Sequence, residues 1–218
     1  DDYEMLLFKQ EINDYTIDGR KYRNTLYDLL AHKAIDFFMS TEPDVTRPAE
    51  QFVLNDDSYF YPADEFINLT INTNDIYSYK FYAVKVFQDL IRFHLSDITP
   101  EALVIADLKR LQFINSNSAN IDRENLYLKA LENLQEKYKD YPISSDVTYE
   151  VAKWHYNKSA NYNPHMSDDN KWEATKAYEI CQDAIDTYPE TPGAINCKSL
   201  QNTISAKSLL LTFEETNP

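Results

Sequence analysis

The chain has 218 residues, 36 acidic against 21 basic, with a formal charge of −15 and a hydrophobic share of 43%. That share supports a buried core and excludes global disorder, and an acidic surface lacks the basic footprint that nucleic acid or an anionic membrane demands. Only two glycines occur, Gly19 and Gly193, so no glycine cluster can cradle a phosphate or shape tight hairpins; long helices joined by polar turns suit the composition best.

In chain order, DYEMLLFKQEIN (2–13) spaces Met5, Leu6, Phe8 and Ile12 loosely as a short helix. TLYDLLAHKAIDFFM (25–39) predicts a stronger helix with Thr25 as its cap. From 41 to 75 the periodicity breaks at Pro43, Pro48 and Pro62. A packed irregular connection is expected there, with a helical turn near Ala63–Leu69 and short extended pieces at QFVL and INLTI. IYSYKFYAVKVFQDLIRFHL (76–95) is apolar nearly all round, which predicts a central helix. Thr99-Pro100-Glu101 opens the next helix with proline at its first position. RENLYLKALENLQEKYKDYP (123–142), SSDVTYEVAKWHYNKS (144–159), KWEATKAYEICQDAIDTYP (171–189) and TPGAINCKSLQNTISAK (191–207) predict four further helices, and Thr191-Pro192 is a cap followed by proline at the first helical position. The organisation expected is an all-α array: an N-terminal helical part over 1–122, two helical hairpins over 123–207, and a strand-like tail over 208–218.

The two hairpins repeat one another. Tyr141-Pro142 and Tyr188-Pro189 each close a first helix, at an offset of 47 residues (188 less 141). Small residues such as Ala130, Ala177 and Ala194 let helix axes approach, and such hairpins stack because neither buries its apolar face alone. The pattern is tetratricopeptide-like, with Asn157–Asn170 as an extra loop beyond the usual period of about 34 residues. The only cysteines, Cys181 and Cys197, are centred on position 189, in the turn of the second hairpin. In an antiparallel pair they stand level with one another. A disulfide and two buried free thiols both fit that placement; a zinc or redox centre is disfavoured, because the spacing is not CxxC and no histidine is near. A disulfide would imply an oxidising compartment.

AYEICQDAIDTYPETPGAINCKSLQNTISAKSLLLTFEETNP joins a YP-terminated helix, a Gly-Ala-x-Asn-Cys helix start and an abrupt β-type run, and TLYDLLAHKAIDFF is distinctive upstream. Together these resemble the N-terminal helical region of the large α2-macroglobulin-like proteins of Bacteroides-type bacteria, over residues 22–40 and 123–215. Residues 41–122 match no motif of that family. The resemblance implies a tetratricopeptide-like platform ahead of a string of β-sandwich domains, with 208–218 as the first strand of the first of them. It implies a periplasmic or outer-membrane-anchored location, with the signal or lipoprotein segment and membrane anchor outside these residues. The expected partners are the other domains of the same polypeptide, together with a protein or peptide. The family's thioester motif, CGxxQ, is absent, since neither cysteine precedes a glycine. The role implied is architectural, without catalysis and without a cofactor or metal.

Among His32, His94, His155 and His165 no HExxH-type pair occurs, and the acidic pairs Asp56-Asp57 and Asp168-Asp169 read as solvated charges or caps. Most of the 17 tyrosines fit helix packing. Tyr59, Phe60, Tyr61, Tyr156, Tyr162 and Trp172 lie in or beside long loops, which makes them the candidate surface for a peptide or sugar. The second functional expectation is therefore a glycan- or peptide-capturing lipoprotein domain. No stretch reaches the roughly 18 apolar residues of a membrane span.

Overall fold

The computed structural model describes residues 25–40 and 50–206. Among them the chain is all-α: α1 (Leu26–Phe38), a 3-10 turn (Asp57–Phe60), α2 (Ala63–Phe66), α3 (Tyr79–His94), α4 (Glu101–Asn117), α5 (Arg123–Lys137), α6 (Ser144–Ser159), α7 (Glu173–Thr187) and α8 (Pro192–Ser205). The expected extended pieces at QFVL and INLTI form no strand; Leu54 makes one isolated bridge to Ser118. The helix expected at 2–13 and the strand-like tail at 208–218 lie outside the described residues.

The chain divides into two compact units, ending and beginning at Ser144 and Ser145. The sequence pairs α5 with α6, but α5 belongs to the first unit because it packs on α4 and on the 3-10 turn. Its last turn also stops short of Tyr141-Pro142: the helix ends at Lys137, and Tyr138 caps it.

In the first unit α1 packs on α3, α3 on α4, and α4 on α5. Ile35, Phe87, Leu90, Ile91, Ile114 and Leu131 are fully enclosed. Each such side chain contributes on the order of 2 kcal/mol through burial. The start of α1 is a capping box in which Thr25 Oγ1 accepts from the Asp28 amide while the Asp28 carboxylate accepts from the Thr25 amide. The other oxygen of Asp28 reaches His94 Nε2 at 2.7 Å, and Asp97 meets His94 Nδ1 at 2.7 Å. His94 stands in the last turn of α3. This link ties the first turn of α1 to the end of α3.

The irregular segment is packed, as its apolar content predicts, because side chains from the flanking helices satisfy its backbone. Gln88 Nε2 donates to the carbonyls of Phe66 and Leu69, both at 3.0 Å, and Arg92 donates to that of Ile67 at 2.6 Å. Ser118 Oγ and the Ala119 amide both donate to Leu54 O. The Asp75 carboxylate accepts from the Phe52 amide. Buried carbonyls without a regular ladder need such partners, and here helices α3 and α4 supply most of them.

In the second unit α7 and α8 pack as the expected hairpin around the turn at 188–191. Thr191 caps α8 by accepting from the Ala194 amide, and Pro192 is its first residue. Gly193 is required there by close approach: a Cβ would lie 2.2 Å from the Ser145 carbonyl carbon and 2.4 Å from the Asp146 amide nitrogen. Backbone at that distance cannot swing aside as a side chain would. Ala152, Cys181, Ala184, Cys197 and Leu200 form the core of this unit, with Tyr149 and Tyr156 packed against it.

Candidate functional site

The first unit holds a cavity of about 70 Å³ between the 3-10 turn, α4 and α5. On its scale a single water needs roughly 10–15 Å³, so it has room for several waters or a small polar group. Phe60, Leu103, Leu111 and Leu134 make apolar walls, while Asp107, Arg110, Asn133, Lys137 and Tyr138 supply polar atoms.

Asp107 and Arg110 are the chemically unusual pair. Both are almost wholly buried, at 2% and 1% exposure, one helical turn apart on α4. Arg110 Nε lies 2.7 Å and Nη2 2.6 Å from Asp107 Oδ1. The guanidinium also donates to the carbonyls of Tyr59 at 2.6 Å and Tyr61 at 3.0 Å, and it lies 4.3 Å over the Phe66 ring. One arginine thus fixes the backbone of the 3-10 turn and the aromatic beneath it. Burial pushes the Asp107 carboxyl above the usual carboxylate range, and the attraction of Arg110 offsets only part of that. Burial likewise raises the Tyr138 phenol, opposed by the neighbouring Lys137. Lys137 also faces Asp64 at 3.5 Å across the mouth.

The aromatics expected to form a free surface fall into both units. Tyr59 and Phe60 are buried at 8% and 5% exposure and belong to the core of the 3-10 turn, so they offer no open ring face. The apolar 3-10 turn folds inward onto α4 and α5, which a sequence without periodicity cannot reveal. Tyr61 remains exposed, and both Phe60 and Tyr61 line the cavity. Tyr156 is half-buried against the cysteine core, and Tyr162 is half-buried in the loop after α6. Trp172 is the most open of the six, at 68% exposure, with Lys171 Nζ 5.5 Å above its ring.

A second titratable pair sits in the other unit. His155 is buried on α6, and its Nδ1 lies 2.5 Å from Glu173 at the start of α7. Nε2 of that ring is buried and has no hydrogen-bond partner among the described residues. The sequence puts His155 in the helix predicted over 144–159, but nothing in it points to Glu173, 18 residues away. The signal missed in the first unit is plainer: Asp107 and Arg110 interrupt an otherwise apolar face of EALVIADLKRLQF with opposite charges three residues apart. Among the described residues no group of three or more His, Cys, Asp or Glu is placed to hold a metal ion.

Cys181 and Cys197 are both buried, and both are free thiols. Both belong to the small core of α7 and α8, where the neighbouring Cys197 holds the Cys181 thiol below its ordinary value against the opposing effect of burial. The same proximity, together with burial, pushes the Cys197 thiol up.

Comparison with protein-family models, with curated proteins and with solved structures returns no match for this chain.

Proposed function

We propose that this chain is a non-catalytic, tetratricopeptide-like structural and interaction module at the N-terminus of a large cell-envelope protein of the α2-macroglobulin-like, protease-inhibitor type. The observation that carries the reading is the motif resemblance over residues 22–40 and 123–215. It is supported by the all-helical architecture and by the α7–α8 hairpin, whose cap, proline and close-packing glycine occupy the Thr191-Pro192-Gly193-Ala194 run within that motif. Bridging helices of this kind present side chains along a face and hold neighbouring domains at fixed separation. In this reading the partners are β-sandwich domains of the same polypeptide, and the location is the periplasm or the outer membrane. The coding frame tests it. Continuation beyond Pro218 into consecutive β-sandwich domains is expected; a stop codon shortly after Pro218 would contradict it.

A second reading is favoured by one observation, the cavity beside Phe60 and Tyr61 with its polar rim. In it the chain is a ligand-capturing envelope domain whose cavity seats one small polar group of a glycan or peptide bound at its mouth. Titration of the chain with glycan and peptide libraries, repeated on Asn133→Leu, distinguishes the two. Saturable binding weakened at least tenfold by that change supports capture, and no binding by the wild-type chain removes it.

A further inference from the structure

We propose that Cys181 and Cys197 are a paired modification site: they close to an intramolecular disulfide that staples α7 to α8 when the chain meets a small-molecule or protein disulfide as oxidant. The inference does not rest on the proposed function.

The fold encloses the two thiols in one small core. Each cysteine has zero exposure, and both belong to the same five-residue core with Ala152, Ala184 and Leu200. They flank the turn symmetrically, so the packed hairpin sets them level, and small neighbours at Ala177, Ala184 and Ala194 keep the helix axes close. A disulfide needs Cα atoms within about 7 Å and Cβ vectors that converge. Both side chains are enclosed in one small core between helices that pack on one another, the placement from which such a bridge can close.

The chemistry divides between the two sulfurs. With the hairpin open either sulfur can attack first; when Cys181 does, Cys197 is the resolving one. The Cys181 thiolate attacks one sulfur of the external disulfide; a mixed disulfide forms and one thiolate leaves. Cys197 then loses its proton and attacks Cys181 Sγ, and the second external thiolate leaves. Two electrons pass to the oxidant, the two cysteine protons end on the two released thiols, and one S–S bond exchanges for another. Because neither sulfur is exposed, the exchange runs only when the hairpin opens or before it closes during folding. The staple is therefore set at folding and persists afterwards, instead of responding rapidly in the folded chain.

The test uses the whole chain, unfolded in urea and refolded in a buffer of oxidised and reduced glutathione. Intact mass is expected to fall by about 2 Da, with no glutathione attached, and peptide mapping should join the Cys181 and Cys197 peptides. The melting midpoint reported by Trp154 and Trp172 should rise by on the order of 10 °C over the reduced chain, and reductant should reverse the rise. Cys197→Ala should stop at a glutathione adduct on Cys181 and gain no thermal shift. The proposal is overturned if the wild-type chain refolds with both thiols free or each carrying glutathione. It is overturned equally if the cross-linked chain melts at or below the reduced one, since the bridge would then distort the hairpin.

Discussion

Replacing Arg110 with methionine keeps the length of the side chain and removes its charge and every donor. The structure specifies what is lost. Asp107 loses the cation bonded to it, and the carbonyls of Tyr59 and Tyr61 lose donors at 2.6 and 3.0 Å. Breaking a buried ion pair from one side costs about 3–5 kcal/mol, and an orphaned buried carbonyl adds about 1 kcal/mol or more. The expected loss is about 4–6 kcal/mol, a large part of the 5–15 kcal/mol typical of a folded domain. The double variant Asp107→Leu with Arg110→Met removes both charges, leaving chiefly the two carbonyls. It should recover at least about 2 kcal/mol of the single variant's loss. Both tryptophans, Trp154 and Trp172, lie in the second unit. Urea unfolding followed by tryptophan fluorescence therefore reports that unit, while far-ultraviolet circular dichroism reports both. In Arg110→Met the dichroism should gain an early transition with the fluorescence midpoint unmoved. A loss within about 0.5 kcal/mol of zero, or a double variant worse than the single one, would refute the claim that Arg110 anchors the irregular segment.

Three further outcomes follow from the same packing. The Asp107 carboxyl is raised by burial, so the folded unit holds a proton that the unfolded chain has already released; its stabilising effect is complete below the ordinary carboxylate value and is lost as pH rises through the raised one. Urea midpoints of the first unit across that window should fall with pH, and Asp107→Asn should flatten the slope. Gly193→Ala puts a methyl carbon 2.2–2.4 Å from the backbone of Ser145 and Asp146, and should lower the tryptophan-reported stability by at least about 2 kcal/mol; a neutral result would mean that α8 does not approach α6 as described. His94→Ala removes the hydrogen bond that ties Asp28 to the end of α3 and should cost about 1–3 kcal/mol in the first unit, with hydrogen exchange quickening first in α1.

The helices were legible because each carries local signals: Thr25 and Thr191 as caps, Pro192 at a first turn, and apolar residues at a helical period. Pro100 is a partial exception. It was expected to be the first helical residue but stands as the cap of α4. The irregular connection was legible as packed but not in its contents. Tyr59 and Phe60 look like loop aromatics along the chain, but their turn packs on α4 and α5 and Arg110, some 50 residues away, holds the carbonyls of Tyr59 and Tyr61. The pairings His94–Asp28 and His155–Glu173 were hidden for the same reason, since neither partner has a pattern until the helices pack. The cysteines were an intermediate case. Their symmetry about the turn could be read directly, but their rotation toward one another could not, because it depends on how α7 rolls against α8. The YP repeat suggested α5 and α6 as one hairpin; the structure groups α5 with α4 in the first unit.

The most direct measurement of the proposed function is the size and location of the native polypeptide. Antibodies raised against this 218-residue chain would be used on fractionated source cells. The proposal predicts a single polypeptide many times larger than the chain, recovered with the envelope fraction and cleaved by limited proteolysis into β-rich fragments plus this helical module. A polypeptide near the size of the chain itself, or one recovered with the cytoplasm, would contradict it.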